Sequence, residues 1–272
     1  MITQQQTGLK RNTIEKFYTK SEVTKRLSDI YKSIIKIDKD DLIIEPSAGT
    51  GNWCSQFMDY NLLSYDIEPA GPNIIQQNFL NLDLTQGFNT CIHFIGNPPF
   101  GRQATLAKRF IKNICKYEKT KAIGFILPKS FKKDSFKKTF PLKYHLIYQE
   151  DLEENSFIVN NEDYTVPCVF QIWKHENHNR NLPVIHEANG YHFVKKEEEP
   201  DYSLRRVGVY AGKIDSEIDS KSIQSHYFIK LDKDIDNFIE KYNLSVKFEH
   251  NNTVGAKSIS KQEFIKEINK IV

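Results

Sequence analysis

The sequence lacks most of the features that would place a chain outside the cell or around a metal. Its four cysteines, Cys54, Cys91, Cys115 and Cys168, lie far apart and form no C-x-x-C pair, which argues against a disulfide framework or a cysteine metal cluster. His175 and His178 make an H-x-x-H, but no ligand-spaced cysteine lies near them. They read as a surface loop, and no metal is expected. There is no run of about 18 apolar residues and no secretory pattern after Met1-Ile2-Thr3. The expectation is an intracellular chain, cytoplasmic or nuclear, not secreted and without a membrane partner. No internal repeat is present. Charge of one sign is also lacking overall: the formal net charge is +3, so the global balance says little about partners.

What is present is a chain of 272 residues with 39% apolar and 12% aromatic content, enough for a packed core and one large domain with an appendage. Residues 1–14 are polar and read as a flexible tail. The spacing of Val23, Leu27, Ile30 and Ile34 predicts an amphipathic helix over 21–37. Apolar strand-like runs then alternate with helix-like ones. Strands are predicted at 42–46, 62–66, 73–79, 91–96, 122–128, 144–150 and 166–173, with helices from about Asn52 and over 104–117. Strands alternating with helices imply a largely parallel sheet covered on both faces. The polar stretch "KHENHNRN" after Trp173 marks a boundary. The expected domains are 15–175 and a smaller, mixed lobe at 176–272 that ends in a helix near 261–271.

Two turns at strand ends carry the chemistry. The first is "IIEPSAGTGNW" (43–53), a strand running into Gly49 and Gly51. Glycines permit positive φ and close backbone approach, and ligands of open α/β sheets sit beside such turns. No Gly-Lys-Ser/Thr follows, so it is not a P-loop. The third glycine of a dinucleotide fingerprint is replaced by Cys54, so a pyrophosphate fits poorly. The next strand ends "SYDIEP", where an acid can accept from two ribose hydroxyls. Asp66 is first off the strand, and Glu68 is the alternative.

The second turn is "HFIGNPPFGR" (93–102). Two adjacent prolines end any regular hydrogen-bonded element and hold the preceding residue extended. The expected result is a rigid, projecting turn with a polar side chain at its start and a ring at its end. Asn97 Oδ1 and the Pro98 carbonyl can together hold an exocyclic NH₂ that donates both hydrogens. Accepting both draws the nitrogen lone pair out of conjugation and stabilises charge as it develops there. Phe100 would stack on the ring, as extruded bases are held.

Cofactor loop followed by Asn-Pro-Pro-Phe resembles the S-adenosylmethionine-dependent amino-methyltransferases, most closely the N6-adenine group, over residues 15–175. "KFYTKSEV" (16–23) is similar to their N-terminal motif, which implies that Phe17, Tyr18 and Thr19 contribute to the methionine end of the cofactor. "EPSAGTGNW" resembles the main loop and implies cofactor-binding roles for Glu45, Pro46, Ser47, Ala48, Gly49 and Gly51, with Asp66 at the ribose. "NPPF" implies catalytic roles for Asn97, Pro98, Pro99 and Phe100. "FILPKSF" (125–131) looks like the strand and loop lining the target-base pocket. Where the family has an Asp-Phe pair near the cofactor adenine, this chain has Asn78-Phe79, and Asn78 can still accept through its amide oxygen. The implied fold is Rossmann-like class I methyltransferase: a seven-stranded, mostly parallel sheet with one antiparallel edge strand, plus a small C-terminal α+β lobe.

The Asn-Pro-Pro-Phe turn admits adenine N6 in DNA or RNA, guanine N2 in RNA, or a glutamine amide in protein. Residues 101–148 hold thirteen Lys or Arg against Glu118 and Asp134 alone, a net +11. That one-sidedness favours a nucleic-acid partner along 102–143. Arg205, Arg206, Lys213, Tyr227 and Lys230 suggest a second backbone contact in the C-terminal lobe. DNA is the favoured acceptor, with RNA open. A non-catalytic nucleic-acid-binding subunit of the same fold is the alternative, although such proteins usually lose a cofactor glycine or the tetrad.

Overall fold

The computed structural model describes residues 17–83, 89–248 and 256–272; the predicted tail at 1–14 lies outside them. The chain divides into two compact units, Met1–Asn181 and Leu182–Val272.

In the first unit the elements in chain order are β1 (Tyr18–Thr19), α1 (Ser21–Ile34), β2 (Leu42–Glu45), β3 (Asn61–Asp66), β4 (Ile75–Gln76), β5 (Ile92–Gly96), α2 (Thr105–Ile114), β6 (Thr120–Pro128), α3 (Asp134–Lys137), β7 (Tyr144–Asp151), β8 (Phe157–Val159), β9 (Glu162–Tyr164) and β10 (Cys168–His175). Seven of these strands form one sheet in the order β4-β3-β2-β5-β6-β10-β7. The pairs β4–β3, β3–β2, β2–β5 and β5–β6 are parallel, and β10 runs antiparallel to both β6 and β7. The antiparallel pairing thus falls at one end of an otherwise parallel sheet, as the class I methyltransferase fold requires.

Side chains alternate across the sheet. Ile44, Phe94, Phe125 and Leu127 face a core built with Ala107, Phe110, Ile111 and Ile114 of α2. Their neighbours Ile43, Ile95 and Ile126 face a second core with Leu27 and Tyr31 of α1. Both faces are therefore covered, which is why the central strands read as unbroken apolar runs.

Three predicted elements differ. The helix expected from Asn52 is a single 3₁₀ turn, Cys54–Gln56, because β3 already begins at Asn61 and Trp53 and Phe57 are drawn into the core. The strand expected over 73–79 shrinks to Ile75–Gln76, an exposed edge pair. Helix α1 is present, but its buried stripe is Thr24, Leu27, Ser28 and Tyr31, not the apolar series alone, and Ile34 is exposed. The stripe shifts because its polar members have partners. Tyr31 Oη meets His93 Nδ1 at 2.9 Å, and Thr24 Oγ1 donates to the Asn52 carbonyl at 3.1 Å.

The first unit reaches past His175 to Asn181. Arg180 holds that extension: its guanidinium donates to the carbonyls of Lys137, Phe140, Pro141 and Tyr144. The second unit contains β11 (Tyr191–Val194), β12 (Tyr202–Arg205), β13 (Ile214–Asp215), β14 (His226–Leu231), α4 (Phe238–Ser245) and α5 (Lys261–Ile268). Its strands form an antiparallel sheet, β11-β14-β12-β13, over a core of Leu204, Ile229, Phe238, Phe264 and Ile268. Among the described residues no helix is long and apolar enough to cross a membrane.

Candidate functional site

Strand order reverses between β2 and β5: the chain builds outward from β2 through β3 and β4 on one side and from β5 through β6 on the other. The glycine turn leaves the carboxyl end of β2 and the Asn-Pro-Pro-Phe turn leaves the carboxyl end of β5. Adjacent strand ends at such a reversal make a crevice, and both motifs line it.

The glycine turn is tied down from three directions. Gly49 has φ +53° and Gly51 φ +85°, conformations open to glycine at little cost. The Gly49 N–H donates to Asp66 Oδ2 at 2.7 Å, and Asp66 Oδ1 accepts from the Glu68 N–H at 2.8 Å. Tyr18 packs on the other side: a Cβ at Gly49 would lie 2.9 Å from its ring. The Asn52 amide donates to the Thr19 carbonyl at 2.7 Å. Phe17, Tyr18 and Thr19 thus meet the loop that carries Ser47, Ala48, Gly49 and Gly51, although they are about thirty residues away in sequence.

Glu45 lies beneath this loop at 1% exposure. Its Oε2 accepts from the Cys54 thiol at 2.7 Å, and that sulfur also lies 3.0 Å from Ser64 Oγ. Burial holds the Glu45 carboxyl well above the usual range, opposed by the Cys54 hydrogen bond, while the Asp66 charge adds to the rise. Burial likewise pushes the Cys54 thiol up, with Glu45 adding to it. Cys54 is therefore an inert donor that locks the loop to the strand, where a glycine would leave Glu45 without this partner. Sequence reasoning saw only a missing glycine, because nothing local connects residue 54 to residue 45.

Gly96 ends β5 with φ +133°, and its missing Cβ would sit 3.2 Å from Glu45 Cγ. The next residue is Asn97. Its Nδ2 donates to the Phe17 carbonyl at 3.0 Å, and its own carbonyl accepts from Ser47 Oγ at 3.2 Å. Asn97 Oδ1 is buried and has no hydrogen-bond partner among the described residues. Thr19 Oγ1 and Trp53 Nε1 are buried and unpartnered in the same way.

Two predicted aromatic roles do not match the placement. Phe100 does not project: at 7% exposure it joins the core with Leu27, Trp53, Ile95 and Phe170. Its carbonyl accepts from Leu106 and Ala107, starting α2. The prolines direct the chain back inward through Gly101, Gln103 and Ala104, all at positive φ, so the ring is swallowed and the backbone strain appears just after it. Phe79 is likewise core, stacked on Phe110 at 5.5 Å and edge-on to Phe94 at 5.9 Å. Asn78 Oδ1 accepts from the Leu80 N–H at 3.0 Å, capping a 3₁₀ turn.

Sequence reasoning missed Ile67, which follows Asp66 and is 52% exposed. It also missed the hairpin β8–β9, whose β8 pairs with β1 and whose Tyr164 stacks on Phe17 at 5.5 Å.

The basic segment is not one surface. Lys121, at the start of β6, pairs with Asp38 and Asp41 at 2.9 Å each, at the opposite end of the strands from both turns. Lys129 and Lys132 pair with Asp151 at 2.9 and 3.1 Å. Arg102, next to the Asn-Pro-Pro-Phe turn, is exposed and unpaired among the described residues. The expected attraction along 102–143 is thereby narrowed to a part of it. In the second unit the Arg206 guanidinium lies 5.3 Å from the Tyr227 ring centre, and Arg205 Nε donates to the Val207 carbonyl at 3.0 Å.

No family model matches the sequence, and no curated protein does. Among solved structures, the chain is similar to the 23S rRNA methyltransferase ErmE, at 14% identity and TM-score 0.45 over 60% of this chain and 71% of that one. It is similar to the methyltransferase subunit of a type I restriction-modification system from Streptococcus thermophilus, at 13% identity and TM-score 0.45 over 96% of this chain and 60% of that one. The type IIG restriction endonuclease BpuSI matches at 14% identity and TM-score 0.45, over 60% of this chain and 26% of its own. Likenesses of this size transfer no residue role.

Proposed function

We propose that the protein is a methyltransferase that uses S-adenosyl-L-methionine to methylate the exocyclic N6 of adenine in nucleic acid, DNA in preference to RNA. The observation that carries the reading is Asn97 Oδ1, a buried acceptor without a partner, at the end of β5 and beside a glycine turn. A fold seldom leaves such an atom unpaired unless a ligand completes it.

The residues fit the cofactor. Gly49 lets the Tyr18 ring close on the loop, only ordinary contacts surround Gly51, and Thr19 Oγ1 beside them is buried without a partner. The turn leads into one 3₁₀ turn and not a helix, so no helix N-terminus is offered to a diphosphate. An adenosyl sulfonium needs none. Asp66 keeps lone pairs for ribose hydroxyls after accepting from Gly49 and Glu68, with Glu68 as the alternative, and Ile67 would flank the adenine. Phe17, Tyr18 and Thr19 would hold the methionine end. Glu45, Pro46, Ser47, Ala48 and Asn78 serve chiefly by setting the loops.

When bound, S-adenosylmethionine supplies an electrophilic methyl group. Asn97 Oδ1 and the Pro98 carbonyl accept the two amine hydrogens and localise the nitrogen lone pair toward that methyl. A nitrogen–carbon bond would form as the carbon–sulfur bond breaks, with the neutral thioether S-adenosylhomocysteine as leaving group and the cationic amine giving its proton to water. Pro98 and Pro99 fix the acceptors in place, which supplies rate through orientation. Phe100 shapes the turn from inside. The exposed ring nearest to this segment is Tyr164, 43% exposed and stacked on Phe17, and Tyr164 would take the ring-supporting role expected of Phe100.

The test is incubation of the full chain with methyl-labelled cofactor and separate DNA, rRNA, tRNA and mRNA acceptors, followed by mass spectrometry of the nucleosides. Label on N6-methyladenine is expected, in DNA first. Label on guanine N2 or on a protein glutamine would replace the substrate assignment. Cofactor binding without any transfer would leave a non-catalytic subunit.

A further inference from the structure

The second unit carries a loop whose construction is not explained by its own fold. Residues 206–213 read Arg-Val-Gly-Val-Tyr-Ala-Gly-Lys. Val209 and Tyr210 at its tip are 80% and 70% exposed. This exposure is not fraying. Gly208 and Gly212 sit at φ +95° and +98°, and the turn between them is tied at several points. The Gly208 N–H donates to the Lys257 carbonyl at 2.9 Å and the Gly212 N–H to the Arg205 carbonyl at 2.7 Å. The Ala211 and Lys213 N–H groups bond back to Gly208 and Tyr210 at 3.0 Å each. Tyr242 Oη donates to the Gly212 carbonyl at 2.7 Å, and Ala211 is buried in the core. Val207 is bridged to Ser258. A Cβ at Gly212 would lie 2.9 Å from the Phe248 ring, so the glycine is required for the loop to seat. The result is a braced turn that holds one β-branched and one aromatic side chain out in water.

The charged residues of the loop itself, Arg206 and Lys213, have one sign. Arg205, Arg206, Lys213 and Lys257 flank the tip, and residues 205–214 contain no acid. Among the described residues neither arginine nor Lys257 is in an ion pair, while Lys213 reaches Asp215 only at 3.7 Å. A protein-docking tip would gain from apolar neighbours or mixed charge. Apolar side chains on a loop of positive charge fit a polyanion whose interior is stacked rings.

We infer that the Val209–Tyr210 tip is a wedge that inserts between base pairs of duplex DNA, with Arg205, Arg206, Lys213 and Lys257 holding the adjoining phosphates. The inference deepens the nucleic-acid reading above and rests on it for the class of partner. Rigid presentation means that little ordering is lost on contact.

The test uses the full chain and a short mixed-sequence duplex bearing 2-aminopurine, whose fluorescence rises on unstacking, with affinity measured over a series of salt concentrations. The double variant Val209→Ser/Tyr210→Ala should lower duplex affinity about tenfold or more and abolish the fluorescence rise. Its slope of log affinity against log salt should be unchanged, since no phosphate contact is removed. Tyr210→Phe should retain both. Lys213→Ala should leave the fluorescence rise in place and reduce the slope by about one. Both tip residues are exposed, so melting temperatures should not move. The wedge is overturned if the double variant binds and unstacks duplex as the wild type does, or if only single-stranded or RNA probes respond. Calorimetry with S-adenosylmethionine runs alongside: absent cofactor binding with an intact duplex response would sink the methyltransferase reading and leave the wedge standing.

Discussion

Replacing Asn97 with alanine should separate stability from activity. The side chain makes one hydrogen bond, Nδ2 to the Phe17 carbonyl at 3.0 Å, and carries one buried acceptor without a partner. Losing the bond costs about 1 kcal/mol, and relieving the orphan returns about 1–3 kcal/mol. Phe17 is only half-buried, so water can take over its freed carbonyl. The balance runs from zero to about 2 kcal/mol in the variant's favour, so the melting temperature should hold or rise, by up to about 8 °C. Transfer should nevertheless fall by about 10²–10³-fold, the usual loss for one acceptor or donor aimed at developing charge.

Asn97→Asp should behave in the opposite way. It keeps an acceptor and loses the donor, and its carboxylate faces the Phe17 carbonyl. Stability should drop by about 1–3 kcal/mol while measurable transfer persists. The assays are thermal melting and initial rates of label incorporation at saturating cofactor, with affinity by calorimetry. If Asn97→Ala melts ten or more degrees early, or keeps transfer within about tenfold of native, the unpaired oxygen has been assigned the wrong job.

Gly49→Ala should weaken cofactor binding at least about tenfold and cost about 1–3 kcal/mol of stability, because a Cβ would strike Tyr18 at 2.9 Å and φ +53° is poorly open to alanine; calorimetry at a temperature where the variant stays folded would show the loss of binding. Asp66→Ala should lower cofactor affinity and cost about 1–3 kcal/mol of stability, since it frees the Gly49 and Glu68 N–H groups together; unchanged affinity would move the ribose contact to Glu68. The first unit should lose stability as pH falls. Burial lowers the folded-state pKa of His93 below 6.5, so the unfolded chain takes up a proton first and stability drops below about pH 6.5. The lowered carboxyl of Asp41, its partner at 3.0 Å, adds a loss in the same direction at still lower pH, and His93→Gln should flatten the upper part of the profile.

The sheet was legible wherever a strand is buried on both faces. The runs at 42–46, 91–96 and 122–128 match β2, β5 and β6 within two residues, because unbroken apolar sequence between turn signals has few other uses. Burial on one side or at an edge weakened the signal, as in the two-residue β4. What could not be read was non-local. The β1–β8 pairing joins Tyr18 to Ile158, and no periodicity encodes a partner that distant. Helix α1 was found from its apolar spacing, yet its buried face includes Thr24, Ser28 and Tyr31. A polar side chain goes inside only when something accepts it: Ser28 bonds one turn back to the Thr24 carbonyl, but Thr24 and Tyr31 reach Asn52 and His93, far away in sequence. The basic run failed for a related reason: α2 and β6 carry it from one end of the sheet to the other, so a charge density in sequence became two in space. The candidate site was legible as motifs, but not as the Glu45–Cys54 lock or the inward turn of Phe100.

Those two misreadings bear on how the site is held. Glu45 is pinned by Cys54 and sits under Gly96, whose missing side chain lets β5 end close to β2. Any change at residue 45, 54 or 96 therefore moves Asn97, though none of the three need touch a substrate. The prolines and the buried Phe100 fix the turn from its other end. Asn97 is clamped on both sides, and its donor is tied to Phe17, so its acceptor cannot rotate away to find a partner. Among the described residues only four buried side-chain polar atoms go unpaired, at Thr19, Trp53, Asn97 and, in the second unit, Tyr191. Three of the four stand on the β1 segment, the glycine turn and the β5 turn, which are tied to one another by hydrogen bonds at Thr19, Ser47 and Asn97. A unit that satisfies its polar groups elsewhere and leaves three buried ones unpaired there has concentrated its local destabilisation around the two turns of the proposed site.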